Sequence, residues 1–196
     1  MPSAIALLKN DHTTVRTLLG QLDAAATPRE RERLANRIAD ALDEHSAVEE
    51  EIFYPAYRAA AGTREDDEIY FKSREEHEVV GQVVDDLVHS DPRGPSFAGR
   101  ARVLRHLVES HASEEERSLF PRAEQLLGEQ RLRELGDEIE RRKRSAGRER
   151  PQTRPQARPQ APPRRERGGE GCSSGACRTC GYRFAIPFCG SINIRF

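Results

Sequence analysis

Four histidines set at nearly equal intervals constrain this 196-residue chain more than any other feature. His12, His45, His77 and His111 are separated by 33, 32 and 34 residues. A helix and a short loop together take up an interval of that size, so each histidine falls on its own helix of a four-helix bundle. Two of them are followed one turn later by a glutamate, in His45-x-x-x-Glu49 and His111-x-x-x-Glu115. Residues i and i+4 lie on one helix face, so each pair points the same way.

The same six residues sit on the stripes that form the core. Ile5, Leu8, His12, Val15, Leu19 and Leu22 recur at intervals of 3 and 4 in the first helix. The second stripe is Ile38, Leu42, His45, Glu49 and Ile52, and the third is His77, Val80, Val84 and Leu87. The fourth is Leu104, Leu107, Val108, His111, Glu115 and Leu119. Each candidate ligand thus stands at a position where the pattern calls for a hydrophobe. One core histidine is ordinarily a hydrogen-bonded structural residue. Four, with two carboxylates whose burial costs several kcal/mol each, need cations. Imidazole with carboxylate suits iron, manganese or zinc, and glutamates aimed at one centre favour two ions, because each can bridge. The Glu-x-x-His spacing of ferritin-like bundles is absent from these positions. His89, beside Ser90-Asp91-Pro92, and His106, off the stripe, read as surface residues.

The bundle reads as a duplicated helical hairpin. His45 to Pro55 aligns with His111 to Pro121, each proline ten residues after its histidine and preceded by an aromatic, Tyr54 or Phe120. Upstream, Asp11-His12 matches Glu76-His77. The prolines are expected to kink or end their helices near the metal site. Thr27-Pro28-Arg29-Glu30 is a capping box and Thr63-Arg64-Glu65-Asp66 a looser one.

The order H…H-x-x-x-E…H…H-x-x-x-E resembles the hemerythrin-like, or HHE cation-binding, domain over residues 1–127. The resemblance implies an all-α, up-down four-helix bundle around a non-haem di-iron centre. His12 and His45 would hold one iron and His77 and His111 the other. Glu49 and Glu115 would bridge them together with an oxo or hydroxo group. Oxygen-carrying members have a further histidine one turn before the third-helix ligand, where this chain has Ser73, and H-x-x-x-x-D in the last helix. These departures turn the expectation from oxygen carriage to chemistry on peroxide in oxidative stress, a catalase-like activity. The alternative is a module that binds or senses oxygen, nitric oxide or iron without turnover. Tyr54 is the candidate catalytic residue. Ideal helix geometry aims it away from Glu49, but Pro55 can distort the turn and bring the phenol inward as proton donor or ferric ligand. It reads equally as an aromatic core plug.

Beyond the bundle, 128–144 carries Leu132, Leu135 and Ile139 on one stripe, an additional helix that docks or projects. Residues 145–171 are Arg/Pro/Gln-rich, with Arg150-Pro, Arg154-Pro and Arg158-Pro repeats, and read as a disordered basic linker. A solubilising spacer is its plainer role, contact with nucleic acid or an acidic partner the other. Cys172, Cys177, Cys180 and Cys189 lie in the last segment, 172–196; their spacing permits zinc, a disulfide or free thiols. The bundle lacks cysteine, and neither a signal peptide nor a membrane span is visible, so a cytoplasmic protein is expected. The formal charge of −1 hides an acidic bundle and a basic tail.

Overall fold

The fold, a computed structural model describing residues 2–149, is built from helices, with no strand among the described residues. Helix α1 spans Ala4–Ala24 and α2 Pro28–Val48. A π-helical turn over Glu49–Phe53 carries α2 directly into α3, Tyr54–Ala60. Helix α4 spans Arg64–Val88 and α5 Pro95–Glu114, and a second π turn, Glu115–Leu119, leads into α6, Phe120–Glu149. Around the bundle the neighbours are α1/α2, α2/α4, α4/α5 and α5/α1, the up-down arrangement that short loops impose.

Local chemistry explains the boundaries. The Ser3 and Thr27 hydroxyls accept from the amides of Ala6 and Glu30. Pro28 and Pro95 occupy first-turn positions, where a missing N–H costs nothing. The reciprocal capping box is completed at Thr63, whose hydroxyl accepts from the Asp66 amide while the Asp66 carboxylate accepts from Thr63 N–H at 3.2 Å. The looser-looking signal in the sequence is therefore the tighter cap. Asp66 is almost wholly buried, and Arg122 of α6 grips it with two bonds of 2.7 and 3.0 Å. The Tyr57 hydroxyl adds a third at 3.2 Å. One carboxylate so ties the α3–α4 turn to α6.

The helical run does not end at either proline: a π turn precedes each, and helix continues through it. Pro55 and Pro121 lack the N–H that a carbonyl four residues back would receive. The chain widens by one residue just before each, and Tyr54 N–H bonds Glu49 O, as Phe120 N–H bonds Glu115 O. Such single-turn π bulges change which side chains share a face. Here a residue five positions on is brought over the one before it.

Apolar packing falls into two clusters. One joins Val15, Leu19, Leu34, Ile38, Val84, Leu87 and Leu104 at one end of the bundle. The other joins Ile5, Leu8, Phe53, Tyr57, Leu119 and Phe120 with Leu132, Leu135 and Ile139. The additional helix therefore docks. At Gly128 the backbone turns through φ 70°, ψ 168°, a left-handed conformation that glycine adopts without penalty, and the chain then folds back along α1. It packs so closely that a Cβ on Gly136 would collide with the Pro2 carbonyl oxygen and lie 3.1 Å from Ala4 N. The helix runs on to Glu149 rather than to 144. No proline interrupts it before Pro151, so Ser145 to Glu149 continue it although their composition resembles the linker. The remainder of the linker, its expected disorder and basic-tail contacts, and the zinc expectation at Cys172, Cys177, Cys180 and Cys189 lie outside the described residues. Among the described residues no helix is long and apolar enough to cross a membrane.

Candidate metal centre

Between the two apolar clusters lies a polar layer. It contains all six residues singled out by spacing: His12 from α1, His45 from α2, His77 from α4, His111 from α5, and Glu49 and Glu115 from the first residue of each π turn. His12, His45, Glu49, His77, His111 and Glu115 are each less than a tenth exposed, and the two glutamates are 0% and 1% exposed. His45 Nε2 and His77 Nε2 both stand 3.2 Å from Glu49 Oε2. His12 Nε2 lies 3.2 Å and His111 Nε2 3.5 Å from Glu115 Oε2. His77 Nε2 and His111 Nε2 are 3.1 Å apart.

Several atoms of this layer converge without pairing. His12 Nε2, His45 Nε2, Glu49 Oε1 and Glu115 Oε2 are buried with no hydrogen-bond partner. Orphaned polar atoms in a core are costly, and lone pairs aimed at a common point are what a cation satisfies. Two groups of donors form: His12, His45, Glu49 and Glu115, and Glu49, His77 and His111, with Glu49 common to both. The donor set thus fits a pair of cations with N/O preference.

The outward face of each imidazole meets a carboxylate. His12 Nδ1 is 2.8 Å from Glu116 Oε1 and His77 Nδ1 3.1 Å from Glu50 Oε1. His111 Nδ1 is 2.9 Å from Glu76 Oε2, and His45 Nδ1 is 3.7 Å from Asp11 Oδ2. Such partners fix ring orientation and strengthen imidazole as a ligand. Asp11, Glu50, Glu76 and Glu116 were passed over in the sequence although each sits beside a candidate ligand. The repeated dipeptides Asp11-His12, Glu76-His77, Glu49-Glu50 and Glu115-Glu116 mark their places but not the histidine each one meets. The pseudo-twofold relation holds among them: Glu116 serves His12 as Glu50 serves His77, and Asp11 faces His45 as Glu76 faces His111.

Tyr54 enters the layer because of the π turn. Its hydroxyl donates to Glu115 Oε1 at 2.7 Å and stands 3.4 Å from Glu49 Oε2 and 3.3 Å from His77 Nε2. Burial, and then the charges of Glu49 and Glu115, push the phenol well above its ordinary pKa. Ser73 is buried too, and its hydroxyl works against that rise. Burial opposes a charge on His111, yet Glu76, Glu115 and Glu49 together raise it to about 9. Burial likewise opposes the charge of Glu115, and the contact with His12 leads the effects that lower it to about 2. Without cations, the cluster therefore draws in protons. His89 and His106 are exposed and take no part.

On the side of the histidines opposite Tyr54 is a cavity with about 20 Å³ for the centre of a water-sized molecule. It is lined by the four histidines, by Ser46, and by apolar residues that include Val15, Leu42, Val80 and Val108. It accommodates one very small solute.

Residues 3–123 match the family model described as hemerythrin HHE cation binding domain. The chain belongs to that family. Uncharacterized mycobacterial proteins, including Rv2633c of Mycobacterium tuberculosis (strain ATCC 25618 / H37Rv), are 30% identical over 139 residues, covering 70% of this chain and 83% of theirs. A protein of Nostoc sp. named DNA nickase is 27% identical over 114 residues; the match covers 58% of this chain but 31% of that protein. Among solved structures, an HHE domain protein of Mycobacterium kansasii superposes with a TM-score of 0.65 at 25% identity, over 76% of this chain and 90% of the other. The HHE family fold and a buried histidine–glutamate cluster able to hold metal cations are thus in place.

Proposed function

We propose that the centre holds two iron ions, with His12 and His45 on one, His77 and His111 on the other, and Glu49 and Glu115 spanning both. In this reading an oxo or hydroxo group completes the bridge, and the centre decomposes hydrogen peroxide. The donor chemistry supports iron, and the sharing of Glu49 between the two donor groups supports a pair. Iron, when bound, supplies the redox change by which two peroxides become oxygen and two waters.

The observation that carries the reading is the buried Tyr54 hydroxyl inside the cluster, 2.7 Å from Glu115. Cleaving an O–O bond requires a proton at the departing oxygen. Burial and the charges of Glu49 and Glu115 keep a proton on the Tyr54 hydroxyl, inside the cluster. The π turn thus gives one half of a symmetric site a proton donor that the other half, with Phe120, lacks.

Oxygen evolution after peroxide is added to iron-loaded protein tests the reading. Evolution that falls sharply in Tyr54→Phe supports it; none from protein holding both irons overturns it. The size of the cavity favours a second reading, binding or sensing of a diatomic such as nitric oxide or oxygen without turnover. A stoichiometric spectral change with nitric oxide, in a protein inert to peroxide, supports that one. In either case the protein is read as a cytoplasmic one.

A further inference from the structure

Each outward carboxylate is itself shared with a cation of the protein, and the four shares are unequal. Glu116 bonds His12 at 2.8 Å while Arg16 holds it at 2.9 Å. Glu50 is 3.1 Å from His77 and only 3.9 Å from Arg74. Glu76 bonds His111 at 2.9 Å and stands 3.5 Å from Lys72, whose ammonium is engaged by Glu114. At the fourth position the order is reversed. Lys143 takes both oxygens of Asp11, at 2.7 and 2.6 Å, and His45 Nδ1 is left 3.7 Å away. His45 Nδ1 is accordingly a buried nitrogen without a hydrogen-bond partner.

Lys143 lies in the last part of α6, beyond residues 3–123 that match the family model. It reaches Asp11 because the chain turns back at Gly128 and packs against the start of α1. Arg142 anchors the same segment on Glu51 of the first π turn, at 2.6 and 3.0 Å.

We propose that Lys143 is a positioning residue that weakens one half of the metal centre by drawing Asp11 off His45. The proposal rests on the two-cation reading above. A carboxylate on the far nitrogen makes imidazole a stronger and better-oriented ligand. A carboxylate whose oxygens are both committed to an ammonium gives less of that support. The ion on His12 and His45 is then the more exchangeable one, and the C-terminal helix sets how exchangeable. In the mate pair His111 and Glu76 the imidazole keeps its bond at 2.9 Å although Lys72 stands 3.5 Å from the carboxylate. Aspartate is one methylene shorter than glutamate, which offers a competing account of the longer contact, and the variants separate the two.

The test is iron release from loaded, reduced full-length protein to a ferrous chelator, with total iron per chain and thermal melting recorded for each variant. The wild type is expected to lose its iron in two phases, one ion in each. Lys143→Met should slow the fast phase about tenfold, and Asp11→Asn should speed it by a similar factor, the scale at which such partners act on metal affinity. Lys143→Arg should behave as the wild type, and the slow phase should stay constant throughout. A fast phase unchanged or quickened in Lys143→Met, with two irons bound, overturns the proposal alone and leaves side-chain length as the cause. Release in a single phase also overturns it. Fewer than two irons in the wild type overturns it together with the reading beneath it.

Discussion

The hydroxyl of Tyr54 donates to Glu115 Oε1 at 2.7 Å, across the pseudo-twofold axis from Phe120, which has no hydroxyl to give. The two rings otherwise behave alike. Tyr54 stacks on His77 with centroids 5.6 Å apart, and Phe120 stacks on His12 at 5.8 Å. Between these two rings the aromatic packing is kept and the chemical difference is one oxygen.

That difference predicts a clean separation of effects in Tyr54→Phe. The ring and its stacking remain, so the fold and the iron content should persist. Loss of one buried hydrogen bond should cost about 1 kcal/mol of stability. Peroxide turnover should fall about a hundredfold, the scale of a lost proton donor. Oxygen-electrode rates beside metal analysis check it; equal rates in variant and wild type would remove Tyr54 from the reaction.

Stability of metal-stripped protein should depend on pH through His111 and Glu115. His111 is raised from 6.5 to about 9, chiefly by Glu76, Glu115 and Glu49 against the effect of burial. Its contribution is therefore fully present below pH 6.5 and lost as pH rises toward 9. Glu115 is lowered from 4.5 to about 2, with His12 the leading cause against burial. Its contribution is present above pH 4.5 and lost as pH falls toward 2. The stripped protein should melt highest between those limits, near pH 5 to 6. The loaded protein should gain its advantage as pH rises, because cations and protons compete for the same imidazoles. Melting curves at pH 6 and 9, with and without iron, decide it; a stripped protein more stable at pH 9 would contradict the protonation argument.

The buried Asp66–Arg122 pair should matter for stability and not for metal. Asp66→Ala removes the carboxylate that caps α4 at Thr63 and takes two bonds from Arg122 and one from Tyr57. The melting temperature should drop while iron per folded chain stays the same. Iron loss without a drop in melting temperature would mean that the α3–α4 turn positions the centre directly.

Gly136→Ala tests the docking of the C-terminal helix. A Cβ there meets the Pro2 carbonyl oxygen and Ala4 N. Backbone cannot step aside as a side chain can, so overpacking should cost about 1–3 kcal/mol. Unchanged denaturant stability would show that the helix tolerates displacement from α1.

The sequence made the bundle legible because each of His12, His45, His77 and His111 falls on a stripe of helical period. Burial and ligand type then pointed to one layer. The position of Tyr54 was only half legible. An i, i+5 relation is meaningless on an ideal α-helix, and it became a contact because Pro55 and its mate Pro121 follow π turns. The outward carboxylates were missed for a different reason. Asp11, Glu50, Glu76 and Glu116 lie at the edge of the helical stripes, where acidic residues ordinarily face solvent. Only the crossing of helices, which spacing does not encode, shows that each reaches a histidine on a neighbouring helix. Lys143 was beyond reach of pattern altogether, since its contact with Asp11 depends on the reversal at Gly128.

Metal analysis of protein purified from iron-supplied cells tests the central claim most directly. The account predicts two irons per chain, corresponding to the two donor groups that share Glu49. It further predicts that His45→Ala and Glu115→Ala lower both the iron content and the melting temperature, because bound metal stabilises only the folded state. A wild-type protein that carries one zinc ion, or no metal at all, would contradict it.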